Sequence, residues 1–395
     1  MCDLFTRKHI IITALVTFIA SLALFVGVSL AGEILGTGDV LNRAKHIIEE
    51  NYVDALTDEQ KKKMEDFALS AMVASLEDPY SFYFNEDTLN SFNEQNEEEY
   101  IGIGLAVSFN AEENKLVVVS PTDKSPAQKA GILPGDVVTR VDDIVISAET
   151  YNDAISYIKN DGKDGDGVKV YILRDKEEKI FDLKREKVSV DTVTEKMLDE
   201  SVGYIRISEF NFSTVKEFEE SIDALKKENA KGLVIDLRNN PGGYAESVIK
   251  MTDMLVPEGT IAYLENNKGE RQYYNSDKET IDLPLAILVN EGTASAAELM
   301  AGSTQAHKTA VIVGTKTYGK AVGQSPYMLT PKTAIYLTNA RYYTPLGECI
   351  DKQGIEPDIK VDLTDEKKVR LLTLDPSEDD QLKTAVEVLY DRIKK

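Results

Sequence analysis

Ser295 follows an apolar run, Leu285 to Val289, and a short turn through Gly292, and it stands where a helix over residues 295–307 is predicted to begin. A serine there can simply cap the helix by accepting a bond from a backbone N–H of the first turn. It is equally well placed as a nucleophile, because the helix's free N–H groups and positive dipole end can stabilise an oxyanion forming beside it. The N–H of Ala296, paired with one from Gly242 or Gly243, would make such a hole. Those glycines belong to a second junction, Asp236 to Gly243, where a buried strand runs into a Gly-Gly pair that lets the backbone turn sharply. Taken alone, Pro241-Gly242-Gly243 is also an ordinary turn.

A nucleophilic serine needs a base, and the chain has only three histidines, His9, His46 and His307. His307 lies twelve residues beyond Ser295 on the same predicted helix, about 18 Å away at ~1.5 Å per residue, too far for a hydrogen bond. A lysine can substitute if its pKa falls by ~3 units, at a cost of about 4 kcal/mol, and an apolar, uncharged pocket supplies such a shift. Lys320 sits in the loop Thr317 to Gln324, where it is the only charged residue. Gln324, four residues on, could orient the amine without adding a negative charge that would raise its pKa. Spacing alone leaves this triad one option beside an N-cap serine and a surface lysine. No HExxH or CxxC occurs and the only cysteines are Cys2 and Cys349, so neither a metal site, a cofactor nor a disulfide is expected.

The elements that must position these groups fall into distinct blocks. Residues 10–31 form a run of 22 without a charge, preceded by Arg7 and Lys8. This predicts a transmembrane anchor over 10–32, with residues 1–9 in the cytoplasm and the rest outside. A cleaved signal peptide ending near Ser29-Leu30-Ala31 is the alternative. Residues 39–95 read as a helical region whose apolar positions (Val40, Ala44, Ile47, Ile48; Met64, Phe67, Ala68, Ala71, Met72) predict two helices packing together, or against a second copy in a homodimer. Residues 96–186 read as a compact α+β module, with strands at 101–109, 115–121, 136–143, 168–174 and 178–185 and short helices at 125–131 and 150–160. Residues 188–363 alternate strand and helix, with strands at 202–210, 232–238, 284–290 and 310–314 and helices at 214–229, 244–256 and 295–307. That alternation predicts an α/β domain with a largely parallel sheet. Residues 364–395 read as a C-terminal helical tail.

With 395 residues, 42% of them hydrophobic, the chain is long enough for two or three packed domains. Its net charge of −23 repels phosphate backbones, which argues against a nucleic-acid partner.

At the residues already named, the sequence resembles the carboxyl-terminal processing peptidases, or tail-specific serine peptidases, of family S41. The resemblance runs from about Asp39 to Leu363. It rests on six blocks in order: Leu76 to Ser81, Gly102 to Gly104, Asp236 to Gly243, Asn290 to Glu298, Gly319 to Gln324, and Gly354 to Asp358. It implies Ser295 as nucleophile, Lys320 as base and Gln324 as its partner, on a core like those of ClpP and crotonase. One departure is Ala321, where similar members usually carry glycine; alanine there would strain the loop only if the position needs a positive φ. The module at 96–186 is similar to a PDZ domain, and the resemblance makes Tyr100, Ile101, Gly102, Ile103, Gly104 and Leu105 the loop that captures a substrate's C-terminal carboxylate.

The expected whole is a membrane-anchored serine endopeptidase with its catalytic part outside the cytoplasm, acting on proteins with a free C-terminus. Two other readings compete: a non-catalytic, membrane-anchored PDZ scaffold, and a crotonase-like acyl-CoA enzyme. An intact Ser295/Lys320/Gln324 set argues against the first, and export of the chain against the second.

Overall fold

The computed structural model describes residues 37–95, 99–110, 114–122, 125–159, 163–189, 191–371 and 374–394. The expected membrane span and its signal-peptide alternative lie outside the described residues. Among the described residues no helix is long and apolar enough to cross a membrane. The chain divides into two units, one ending at Glu77 and one beginning at Asp78.

In the first unit, α1 (Thr37–Asn51) is followed by α2 (Asp58–Ala74). A capping box starts α2: the Thr57 side chain accepts from the Gln60 N–H, and Gln60 Oε1 accepts from the Thr57 N–H. Lys45 of α1 pairs with Glu65 of α2. The expected packing of the two apolar faces does not occur. Val40, Ile47, Ile48, Phe67 and Met72 all remain exposed, and only Val73 of α2 is buried.

The second unit opens with β1 (Phe82–Phe84) and α3 (Glu86–Gln95). The PDZ-like module follows: β2 (Glu99–Gly102), β3 (Leu105–Asn110), β4 (Lys115–Pro121), α4 (Pro126–Ala130), β5 (Val137–Val141), β6 (Ile144–Val145), α5 (Tyr151–Lys159), β7 (Gly167–Arg174), β8 (Glu177–Lys184) and β9 (Glu186–Ser189). Strands β3, β4, β5, β7 and β8 form one antiparallel sheet with β6 on β5, while β2 pairs with β9. The run predicted as one strand at 101–109 breaks into β2 and β3. Gly104 takes φ +71°, and a Cβ there would lie 2.2 Å from that of Ser125, so the chain turns where only glycine fits.

The remaining elements are β10 (Val193–Met197), β11 (Val202–Ile207), α6 (Thr214–Lys227), β12 (Gly232–Asp236), α7 (Ala245–Asp253), β13 (Gly259–Asn266), β14 (Arg271–Ser276), β15 (Leu285–Val289), α8 (Ala296–Ala306), β16 (Ala310–Gly314), β17 (Val322–Thr330), β18 (Thr333–Tyr343), β19 (Ile359–Lys360), α9 (Asp365–Val369) and α10 (Asp380–Ile393). One sheet has the order β10-β11-β12-β15-β16-β19. It is parallel except for β10, which pairs antiparallel with β11.

Every residue of β12 and β15 is buried because both faces of this sheet are covered. Side chains alternate between the faces. Leu285, Ile287 and Val289 join the core that holds Met251 of α7 and Met300 of α8. Ala286 and Leu288 pack with Leu382, Ala385 and Leu389 of α10. The C-terminal helix therefore covers β12, β15 and β16 on that face.

A second, antiparallel sheet has the order β1-β18-β13-β14, with β17 also paired to β18. The alternation over 188–363 gave no sign of it, and its strands β17 and β18 carry Gln324 and Tyr342.

Candidate active site

Ser295 occupies the position between β15 and α8 that the sequence assigns it. Its φ is +56° and its ψ −120°, a region that a residue with a Cβ enters only under strain. The turn before it is tied down from both sides. Thr293 Oγ1 donates to the Leu237 carbonyl at 2.8 Å, and the Ala294 N–H donates to the Asn240 carbonyl at 2.9 Å.

Glu298, which in the sequence is only an acidic residue in the first turn of a helix, is fully buried. Its Oε2 accepts the N–H groups of Ser295 at 2.9 Å and Lys320 at 2.8 Å. Its Oε1 accepts the N–H of Gly319 at 2.7 Å and the hydroxyl of Thr317. One carboxylate thus joins the serine turn to the lysine loop. The hydroxyl of buried Tyr342 adds a second tie, lying 2.9 Å from the Ser295 carbonyl oxygen and 2.8 Å from that of Lys320. Ser295-x-x-Glu298 has capping-box spacing, a local signal, but the ties of Glu298 to Thr317, Gly319 and Lys320, and those of Tyr342, join residues distant in the chain and could not be read from sequence.

The glycine turn lies against the serine. A Cβ on Gly242, whose φ is +103°, would sit 2.8 Å from Ser295 Cβ and 2.9 Å from the Ala296 nitrogen. A Cβ on Gly243 would lie 2.0 Å from the Phe210 carbonyl oxygen. The N–H of Gly242 donates to Asn240 Oδ1 at 2.8 Å. The N–H groups of Gly243 and Ala296 have no such acceptor among the described residues.

The turn is anchored by a buried ionic cluster. Asp236, at the end of β12, receives Nε and Nη2 of Arg238 at 2.6–3.1 Å and the Tyr204 hydroxyl at 2.7 Å. Arg238 Nη1 reaches Asp379 Oδ2 at 2.8 Å and Gln381 Oε1 at 3.0 Å. Burial by itself pushes the Asp236 carboxyl up; the charge and hydrogen bonds of Arg238 outweigh it and hold the group below the usual range.

Lys320 is half-buried, with its Nζ 4.4 Å from the centroid of the Tyr80 ring. Burial lowers its pKa from the ordinary lysine value and the charge of Asp78 opposes part of that shift. Among the described residues the amine has no ion-pair partner within 4.0 Å and no hydrogen bond to the Ser295 hydroxyl. Gln324 points its amide elsewhere, with Nε2 donating to Thr338 Oγ1 at 3.2 Å and to the Val322 carbonyl at 3.3 Å. The two loops are stitched through their backbones, while the three side chains are not engaged with one another. Ala321 is fully buried and absent from the residues with positive φ, so replacing glycine there strains nothing. His307, which caps the C-terminal end of α8, donates through Nε2 to the Thr260 carbonyl at 2.8 Å.

In the PDZ-like module, Ile103 is fully buried and its carbonyl accepts the Ala127 N–H at 2.9 Å. Tyr100 and Lys159, whose Nζ is 5.2 Å from the Tyr100 ring centroid, stand over an apolar cleft floored by Leu105, Val107, Leu116, Val138, Ile155 and Ile158. Burial raises the Tyr100 phenol pKa, against the opposing hydrogen bonds at Thr122 and Gly104.

Residues 201–361 match peptidase family S41, residues 102–184 match the PDZ domain, and residues 35–88 match the activating protease CtpB N-terminal domain. The carboxy-terminal processing protease CtpA of Bacillus subtilis (strain 168) is 34% identical over 369 residues, 93% of this chain and 78% of that protein. A protein of Staphylococcus aureus (strain COL) named "Probable CtpA-like serine protease" is 32% identical over 357 residues, 89% of this chain and 71% of its own length. Among solved structures, the photosystem II D1 C-terminal processing protease superposes with a TM-score of 0.51 at 27% identity, covering 88% of this chain and 93% of that one. With matches to the S41 and PDZ families and relatives aligned over most of its length, the chain belongs to peptidase family S41 and is a serine-type carboxy-terminal processing protease.

Proposed function

We propose that the protein is a membrane-anchored endopeptidase with its catalytic part outside the cytoplasm, and that it selects substrates by their free C-terminal tails through the PDZ domain. Ser295 is the nucleophile, Lys320 the general base and Gln324 the group that orients the amine. The observation that carries this reading is the single buried carboxylate of Glu298 holding both the Ser295 and the Lys320 N–H groups.

The chemistry follows from the residues. Neutral Lys320 takes the proton of the Ser295 hydroxyl as its oxygen attacks a peptide carbonyl, and the ammonium then protonates the departing amine. Burial favours the neutral amine at the start. The oxyanion of the tetrahedral intermediate fits the N–H groups of Ala296 and Gly243; that of Gly242 is held by Asn240. Water then hydrolyses the acyl-enzyme by the same proton route. The described side-chain positions correspond to a resting site, from which Gln324 and Lys320 must turn toward Ser295 when substrate enters.

The span at 10–32 supplies the anchor, and the exposed apolar faces of α1 and α2 suit a homodimer. Sedimentation of residues 33–395 as a monomer at all concentrations would remove the dimer from this account. The catalytic reading is tested with casein, an unstructured substrate. Ser295→Ala and Lys320→Ala are each expected to abolish cleavage while folding normally, and full turnover by either folded variant contradicts the mechanism.

A further inference from the structure

The Lys320 amine meets a segment that lies far from it in sequence, residues 78–84. Its Nζ sits over the ring of Tyr80, 4.4 Å from the centroid, where the ring's electron-rich face favours an ammonium. The Tyr80 N–H donates to Asp78 Oδ1 at 3.1 Å, and the phenol of Tyr318 in the lysine loop lies near enough to push the Tyr80 pKa up to about 12. The other Asp78 oxygen accepts the hydroxyl of Ser81 at 2.5 Å, and Ser81 Oγ, 7% exposed, accepts the N–H of Thr338 at 2.9 Å. Thr338 Oγ1 in turn receives the Gln324 amide at 3.2 Å. The segment then enters the second sheet as β1, with Phe82 opposite Tyr336 and Phe84 opposite Ala334 of β18. A single short turn therefore touches the base directly and the orienting amide through one intermediary.

The other ionisable groups around Lys320 face partners of their own. Both oxygens of Glu298 are filled by N–H groups and the Thr317 hydroxyl. Asp351 accepts the N–H of Ala321 at 3.3 Å, and the Tyr342 hydroxyl faces the Lys320 carbonyl. Tyr318 lies near Tyr80 and contributes to the rise of its pKa. Asp78 is the carboxylate whose field reaches the amine.

We infer that Asp78 and Tyr80 are positioning residues for the general base: in the resting enzyme the Asp78 carboxylate and the Tyr80 ring face oppose release of the Lys320 proton, and Asp78, through Ser81 and Thr338, holds Gln324 away from the amine. The inference rests on the reading of Lys320 as the base. Activity then waits for substrate to displace this hold.

The test is the pH profile of casein cleavage by the full-length chain. Only neutral Lys320 accepts a proton, so kcat/KM rises with pH through the lysine's pKa. Asp78→Asn removes a charge that favours the ammonium, and Tyr80→Leu removes the ring. Each is expected to move the acid limb to lower pH, with kcat/KM below the midpoint raised roughly two- to fivefold, the size of one such contact. Tyr80→Phe retains the ring face and is expected to leave the limb where it stands in the wild type. A purely structural role lowers the plateau without moving the limb. An unmoved limb in both Asp78→Asn and Tyr80→Leu, or a limb moved to higher pH, overturns the inference.

If Asp78→Asn yields too little active protein, the pH at which Lys320 becomes modifiable by an amine reagent, read by mass spectrometry, answers the question without turnover. Labelling at lower pH supports the inference and unchanged labelling overturns it. Loss of cleavage in Ser295→Ala and Lys320→Ala together with an unmoved limb defeats this inference alone. Retained cleavage in those two variants defeats the underlying reading instead.

Discussion

Glu298→Gln changes one atom at the junction of the two loops, and its consequence can be worked from the hydrogen bonds it disturbs. The carboxylate accepts three N–H groups and one hydroxyl. Glutamine keeps the shape but turns one oxygen into a donor. With the NH2 at the Oε2 position, the N–H groups of Ser295 and Lys320 both lose their acceptor. With it at Oε1, the Gly319 N–H is orphaned while the Thr317 hydroxyl can rotate and accept. The second flip is cheaper, and one buried unsatisfied N–H costs about 1–3 kcal/mol. The protein should therefore fold with that loss of stability and with the loop carrying Lys320 displaced. A shift of ~1 Å at a catalytic group costs on the order of 100-fold in rate. The assay is kcat/KM on casein alongside denaturant unfolding of the same preparation, with Glu298→Ala, which loses all four bonds, expected to fall further on both. Wild-type kcat/KM and an unchanged unfolding midpoint in Glu298→Gln would refute the claim that this carboxylate aligns the site.

Three further outcomes are expected. Gly242→Ala brings a Cβ within 2.9 Å of the Ala296 nitrogen at φ +103°, so cleavage should be lost even where the purified protein is folded by circular dichroism. Asp379→Ala leaves Arg238 with one of its two buried carboxylates; breaking such a pair costs about 3–5 kcal/mol, toward the low end because Asp236 remains, and denaturant unfolding reads it. A peptide with a free C-terminal carboxylate should bind the PDZ domain measurably tighter than its carboxamide by calorimetry, and equal binding counts against tail capture by residues Tyr100 to Leu105.

The parallel sheet was legible because β11, β12, β15 and β16 are short apolar runs separated by amphipathic helices, and burial on both faces requires that composition. The place of Ser295 was legible for the same reason, since an apolar strand ending in a glycine turn before a helix is local information. The second sheet was not. Strand β17 is half-exposed to exposed along its length and carries Pro326 at an edge, so it lacks both the alternation and the apolar run that mark a strand. Ser295-x-x-Glu298 shows the spacing of a capping box, but the ties of Glu298 to the lysine loop and those of Tyr342 join groups distant in the chain and leave no local trace. The C-terminal residues read as a tail, yet Leu382, Ala385 and Leu389 close one face of the central sheet and Asp379 holds Arg238; a helix's apolar stripe shows that it packs, not on what. For α1 and α2 the same stripes suggested mutual packing, and the structure leaves them exposed.

The most direct measurement is a site-resolved titration of the Lys320 amine in the full-length protein, by pH-dependent amine labelling and mass spectrometry. The ordinary lysine value is 10.5, and burial pushes this one down with only partial opposition from Asp78. The account predicts that Lys320 becomes reactive at lower pH than the exposed lysines of the same sample. Reactivity at the same pH as exposed lysines, or at higher pH, would contradict its role as the base that accepts the Ser295 proton.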